Sequence, residues 1–227
     1  MLTVHHLENS RSQRILWLLE EMGVDYEIKS YKRDKETSLA PPELLAIHPL
    51  GKSPVITDDE ITVAESGAVM EYLLGKYDDG TLWPAEGTAE RRACSYWLHY
   101  AEGSFAPLML VSLLMGRIET APMPFMIKPI AKGIVAKIRE NYLDRNVGRN
   151  LDFLEATLAD SGWFAGEAFT AADIQMSFAV DAAEVRTNLR EDYPNLAAYL
   201  DRIRARPAYQ AAVERGGPYG LLSINKK

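Results

Sequence analysis

The stretch HPLGKSPVITDDEITVAESGAVMEYL, from His48 to Leu73, constrains this chain more than any other. His48-Pro49-Leu50-Gly51 breaks a preceding helix, because proline has no N–H and restricts the residue before it. Ser53-Pro54-Val55 places a proline at a strand entrance, and only X–Pro bonds adopt cis at modest cost. Val55-Ile56 predicts a short buried strand, Asp58-Asp59-Glu60 a polar turn, and Ile61 to Ala64 the antiparallel partner. Glu65-Ser66-Gly67 then opens a helix with apolar residues at Val69, Tyr72 and Leu73. A helix start presents unpaired N–H groups and partial positive charge, so it suits a carboxylate.

These features together describe a site for a small zwitterionic peptide. The Val55 backbone can pair with an extended peptide as an added strand would. Ser66 and its N–H can take an α-carboxylate while Glu65 takes the neighbouring ammonium, and Lys52 meets a second carboxylate at the far end. The plainer alternative is a capped helix beside a hairpin, with Glu65 and Ser66 serving only the cap.

The flanking sequence is consistent with an α/β unit. Leu2 to His6 predicts a first strand. Asn9-Ser10-Arg11-Ser12 follows, then Ile15, Leu18, Leu19 and Met22 at the i, i+3, i+4, i+7 spacing of an amphipathic helix. Gly23 ends it. Tyr26 to Tyr31 predicts a second strand, parallel to the first. Lys32 to Thr37 is a charged loop, and Pro41-Pro42 starts a short helix ended by Ile47. This order, with a cis-type proline before the third strand, resembles thioredoxin. Domain boundaries follow: 1–77, a linker at 78–88 with Trp83 as an apolar peg, and an all-helical domain over 89–227. In the helical domain Glu90 to Met115 reads as one helix and Gly116 to Pro124 as a loop. Phe125 to Asp160 reads as a helix interrupted at Pro129 and Gly148. Thr170-Ala171-Ala172-Asp173 reads as a capping box, with Phe169 and Ile174 as its hydrophobic staple. Two further helices begin at Pro194 and Pro207, and the tail from Gly216 is expected to be ordered only in part.

Composition narrows the function classes. In 227 residues, 47% are apolar and 25% charged, ordinary for a globular protein. The net charge of −7 resides in residues 1–80, which hold 8 Lys/Arg against 15 Asp/Glu; an acidic first third disfavours nucleic acid or an anionic membrane as partner. The most apolar stretch, Phe105 to Gly116, is too short to span a bilayer, and no signal peptide is evident, so a cytoplasmic location is expected. Cys94 is the one cysteine, which excludes an internal disulfide. The histidines make no metal-ligand pattern, so no metal is expected.

HPLGKSPVI and AESGAVMEYL resemble the glutathione-binding motifs of the cytosolic glutathione transferases. The likeness extends over nearly the whole chain, from LENSRSQRILWLLEEMGVDYE to FTAADIQMSFA. YKRD, APPEL and the MPF-containing segment place it nearest a serine-type branch of fungal and bacterial transferases. The resemblance implies glutathione as co-substrate, held by Lys52, Val55, Glu65 and Ser66. It also implies a homodimer. The activity expected is conjugation of glutathione to small hydrophobic electrophiles, together with reduction of organic hydroperoxides; the other reading is a non-catalytic binding or regulatory module of the same fold. By alignment Ser10 is the residue that stabilises the thiolate, although as a plain helix cap its place could be taken by Asn9 or Ser12. A thiol of pKa ~8.5 is only ~3% ionised at neutral pH, and a pKa of ~6.5 gives about 75%. Those two units correspond to roughly 2.7 kcal/mol. One hydroxyl donating to a charged acceptor supplies about 1.5–3 kcal/mol. The absence of cysteine from the first 80 residues argues against thiol–disulfide relatives, and Cys94 is read as inert core. Tyr96, Tyr100, Ser104, Phe105 and Met109, at helical spacings, are the expected electrophile pocket or else a core seam, with Met123, Phe125 and Met126 as a lip. Glu102 is the group a partner subunit would lend. Leu39 stands where many relatives carry a histidine for the glycine carboxylate, which places that role on Lys52.

Overall fold

The computed structural model describes residues 1–217; nearly all of the tail expected to be partly ordered lies outside them. Strands β1 (Leu2–Leu7), β2 (Glu27–Tyr31), β3 (Val55–Asp58) and β4 (Ile61–Ala64) form one mixed sheet in the order β2-β1-β3-β4. β1 and β2 are parallel, Thr3 facing Glu27 and Leu7 facing Tyr31, because α1 (Gln13–Met22) crosses over between them. β3 runs antiparallel to both neighbours, with Val55 opposite His5 on one side and Ala64 on the other. The Ser53–Pro54 peptide is cis. The short helix α2 (Pro42–Leu45) precedes this strand pair, and α3 (Ser66–Tyr77) follows it, giving the thioredoxin-like arrangement.

Helix α1 is buried from Gln13 through Leu19, apolar face and polar face alike, and Gly23 at φ 64° terminates it. That burial has a cause outside the sheet. After the irregular 78–88 segment the chain is helical, and α1 is covered by two of those helices, α8 (Ala171–Arg186) and α11 (Pro207–Gly216). One continuous core therefore runs through Leu16 and Trp17 of α1, Met70 of α3, Trp97, Ile174 and Tyr199.

The helical half departs from the sequence expectation in how it breaks. α4 (Ala89–Tyr100) and α5 (Ala106–Thr120) are joined by a π turn, Ala101–Phe105, into one run. The run does not stop at Gly116, since an isolated glycine only weakens a helix; it stops before the Pro122/Pro124 pair. α6 (Lys128–Ile138) likewise passes through a second π turn, Arg139–Leu143, into α7 (Asp144–Ser161). Pro129 does not interrupt it, because it stands in the first helical turn where an N–H has no helical partner. Gly148 lies inside α7 without a break. The Ala89–Thr120 run, 32 residues, is long and apolar enough to cross a bilayer. One side of it, with Cys94, Trp97, Leu98, Phe105 and Met109, is buried against the rest of the fold, while Leu110, Leu114 and Ile118 are exposed. The short α9 (Leu189–Asp192) precedes α10 (Pro194–Arg204), and α10 and α11 each begin with the proline that announced them.

Candidate functional site

The β1–α1 connection is built by Asn9, whose φ of 53° is a left-handed conformation that asparagine tolerates better than most residues. The reversal delivers Ser10 beneath the start of α1. Its Oγ accepts the Ser12 N–H at 3.3 Å and lies 2.7 Å from the Ser12 Oγ. Ser12 is not the simple cap that one alternative required. Its backbone is already helical, and its hydroxyl turns inward to His6 Nδ1 at 2.8 Å.

Ser10 is 6% exposed, and it lines a cavity of about 400 Å³ between the β1–α1 turn, the segment after β2 and the loop ahead of β3. Arg11, Arg33 and Lys52 line the same cavity, with Phe178 of α8 as an apolar wall. Three cations converge there although the first third of the chain is acidic. Arg33 is fixed by donating to the Glu8 and Ser38 carbonyls at 3.2 and 3.0 Å. Lys52 is exposed, and Leu39 is exposed and lines the same cavity.

Glu65 and Ser66 do not line this cavity; they lie at the start of α3, and Ser66 is joined to α1 through Arg14. Buried Arg14 donates to Ser66 Oγ at 3.1 Å, to the Gln175 carbonyl at 2.6 Å and to Glu102 Oε1 at 2.5 Å. One guanidinium thus ties α1, α3, α8 and the π turn together. Glu102 also takes Arg11 Nε at 3.0 Å. Burial works against the Glu102 charge, but the Arg14 and Arg11 guanidiniums prevail and hold its carboxyl below the ordinary range. Glu102 is thus paired to two arginines of its own chain. Glu65 is exposed, at φ 74°, and its carbonyl accepts the Val69 N–H as the first turn of α3 closes. Val55 is buried at the head of β3, directly after the cis peptide.

The five residues expected to form an electrophile pocket are not brought together at the cavity. Tyr96 is 49% exposed and stacks on Tyr100, whose hydroxyl donates to Asn150 Oδ1. Ser104 is exposed, and Phe105 and Met109 are core residues. After Tyr100 the π turn contributes, because an i→i+5 turn shifts the register that regular helical spacing assumes for Ser104, Phe105 and Met109. It presents Glu102 to the α1 start instead. Arg11, Arg14, Arg33 and Phe178 are the residues sequence reasoning passed over. The run Asn9 to Arg14 carries a local hint of Arg11 and Arg14, and nothing local marks Phe178. Cys94 is fully buried, and burial pushes its thiol up to about 11, as suits an unreactive core residue. Among the described residues no cluster of three or more His, Cys, Asp or Glu side chains is placed to hold a metal ion.

Comparison with known proteins agrees with this architecture. Residues 1–75 match the glutathione S-transferase N-terminal domain family and residues 115–207 the glutathione S-transferase C-terminal domain family. Glutathione S-transferase 3 of Schizosaccharomyces pombe is 38% identical over 95% of this chain and 88% of its own length. Glutathione S-transferase 1 of Saccharomyces cerevisiae is 33% identical over 97% of each. A crystal structure of a glutathione S-transferase from Actinobacillus pleuropneumoniae superposes with a TM-score of 0.80 at 34% identity, covering 100% of this chain and 98% of the other. With two domain families matched in order and relatives this similar along almost its entire length, the chain belongs to the glutathione S-transferase family.

Proposed function

We propose that this chain is a cytoplasmic, homodimeric glutathione transferase that conjugates glutathione to small hydrophobic electrophiles and reduces organic hydroperoxides with the same thiolate. The observation that carries the reading is Ser10: a buried hydroxyl at the start of α1, facing a cavity lined by Arg11, Arg33 and Lys52. In this reading Lys52 and Arg33 take the glycine carboxylate and the Val55 backbone pairs with the peptide. The α3 start, with Ser66, takes the γ-glutamyl carboxylate, and Glu65 takes the ammonium. The Ser10 hydroxyl donates to the sulfur, and the N-terminus of α1 adds about 0.3–1 kcal/mol in favour of the anion. Phe178 is the apolar wall available to the electrophile, in place of the helix face expected from spacing.

The test is the ultraviolet absorbance of bound thiolate against pH, in the parent and in Ser10→Ala. Selective stabilisation of the charged form means that Ser10→Ala raises the bound thiol pKa by one to two units, about 1.4–2.7 kcal/mol. Conjugation at neutral pH then falls about tenfold to a hundredfold and recovers partly as pH rises. Binding of glutathione at low pH, where the thiol is neutral, stays nearly unchanged. A parent that binds glutathione without forming thiolate, or a Ser10→Ala protein with an unshifted pKa, sinks the reading. Rates with a panel of electrophiles and hydroperoxides then apportion the two reactions.

A further inference from the structure

Ser10 is the cavity end of a buried chain of polar groups. Its Oγ is 2.7 Å from the Ser12 Oγ, which is 2.8 Å from His6 Nδ1. Ser12 is completely buried and His6 is 4% exposed, so neither reaches the cavity except through Ser10. A hydroxyl has one hydrogen to give and two lone pairs to accept with. One Ser10 lone pair already takes the Ser12 N–H at 3.3 Å. The remaining choices along the chain are therefore coupled, and they run in one of two directions.

When Nδ1 is bare, Ser12 donates to it and Ser10 donates to Ser12. A Ser10 lone pair is then left facing the cavity, which suits an S–H. When Nδ1 carries a proton, it donates to Ser12, Ser12 donates to Ser10, and the Ser10 hydrogen faces the cavity, which suits an S⁻. A single proton arriving at Nδ1 converts a thiol-binding end into a thiolate-binding end.

We propose that His6 is the acceptor of the glutathione thiol proton, acting through Ser12 and Ser10 as a positioning residue that aims the Ser10 hydroxyl at the thiolate. The S–H bond breaks and its proton goes to the Ser10 Oγ. The original Ser10 hydrogen passes to Ser12, and the Ser12 hydrogen forms the new N–H bond at His6 Nδ1. Thiol and imidazole become thiolate and imidazolium, with no net change of charge and no further reactant. The inference rests on the reading of Ser10 as the thiolate donor.

Burial lowers the pKa of the His6 ring, with a hydrogen bond to the Gly216 backbone acting in the opposite sense, which favours the neutral ring before glutathione arrives. A thiolate at the other end of the chain favours the cation. The adjacent His5 is the natural control. Strand alternation sends its ring elsewhere, to the Tyr31 hydroxyl at 2.8 Å and Thr57 Oγ1 at 3.1 Å.

The test counts protons. Glutathione binding to the full-length protein near neutral pH is followed by thiolate absorbance, and proton release by calorimetry in buffers of different ionisation heat. S-methylglutathione, which binds without an ionisable thiol, supplies the baseline from every other group. The parent and His5→Asn should release far fewer protons than the thiolates they form. His6→Asn keeps a hydrogen-bonding nitrogen near the Nδ1 position but cannot accept a proton. It should release one proton for each thiolate it forms, because nothing at that position can take the proton. A parent that releases one proton per thiolate overturns the relay, and this count stands even if His6→Asn does not fold. Loss of thiolate in Ser10→Ala together with one-for-one release in the parent sinks the relay alone. Thiolate undiminished in Ser10→Ala sinks the Ser10 reading and the relay with it.

Discussion

Glu65 holds φ 74° and ψ 131°, a conformation outside the usual regions for a residue with a side chain, while that side chain remains exposed. Such a backbone costs on the order of 1–3 kcal/mol and is retained where something other than stability requires it. Its carboxylate is the group the proposed function sets against the glutathione ammonium. Were the pair buried, removal of one partner would be severe. At an exposed carboxylate the loss is smaller, and Glu65→Ala should weaken glutathione binding about fivefold to tenfold, up to about 1.4 kcal/mol. Backbone and charge can be separated at this position. Glu65→Gly should lose the same affinity yet be more stable than Glu65→Ala by about 1 kcal/mol, because glycine relieves the strain. Titration calorimetry and denaturant midpoints measure the two effects; equal stability of the two variants, or unchanged affinity in either, would count against this assignment.

Helix α8 shows how an element can be legible in sequence and still conceal its surroundings. Its capping box forms as spacing predicted: Thr170 caps, and Asp173 Oδ2 accepts the Thr170 N–H at 2.8 Å. Unforeseen was the Asp173 Oδ1, which accepts the Phe164 N–H at 2.9 Å and fastens the preceding turn to the helix. Thr170→Ala should cost about 1 kcal/mol, and Asp173→Ala more, because two buried N–H groups lose their acceptor at about 1–3 kcal/mol each. The Michaelis constant for glutathione should stay nearly constant in both. Burial pushes the Asp173 carboxyl up to about 7 from an ordinary 3.8, despite the N–H groups of Phe164 and Thr170 that pull it down. The folded state thus holds a proton that the unfolded chain has released. The stability this carries is full below about pH 4 and is lost as pH rises through 7. Asp173→Asn, which cannot ionise, should therefore show a flatter midpoint between pH 4 and 7 than the parent, and parallel profiles would overturn this account. The caps, the strand pair and the motif at 48–73 were readable because each is fixed by neighbours a few residues away. The π turns were not, since no residue in Ala101–Phe105 announces an i→i+5 bond, and the shift imposed there affects the expected pocket residues Ser104, Phe105 and Met109. Ser10 could be named only through the family resemblance, and Lys52 from its place in the 48–73 stretch. Glu102 could not be joined to Arg14, because the pair is 88 residues apart and only the fold closes it.

At the scale of the whole molecule, an exposed aromatic patch shared by α4 and α7 is the surface that asks for a partner. Trp97, Tyr100 and Phe153 form a ring cluster, Trp97 stacking on Phe153 at 5.4 Å, and Tyr96 extends it outward at 49% exposure with Phe153 at 44%. Aromatic surface of this kind is enriched where proteins meet. Glu71 of α3 and Arg92 of α4 are both exposed and opposite in charge. In a twofold dimer each patch meets its own copy, so a single face must carry both signs to be self-complementary. We predict a homodimer across α3 and α4, where the family resemblance places it, with Glu102 paired to Arg11 and Arg14 of its own chain. Light scattering at micromolar concentration should return twice the 25.4 kDa chain mass. Tyr96→Glu, which sets a charge at the middle of the face and its symmetry mate, should return the single-chain mass with unchanged circular dichroism. Arg92→Glu should weaken the dimer through like charges facing Glu71, and Glu71→Arg added to it should restore the association. A parent that scatters as a monomer, or a Tyr96→Glu protein that remains dimeric, places the interface elsewhere.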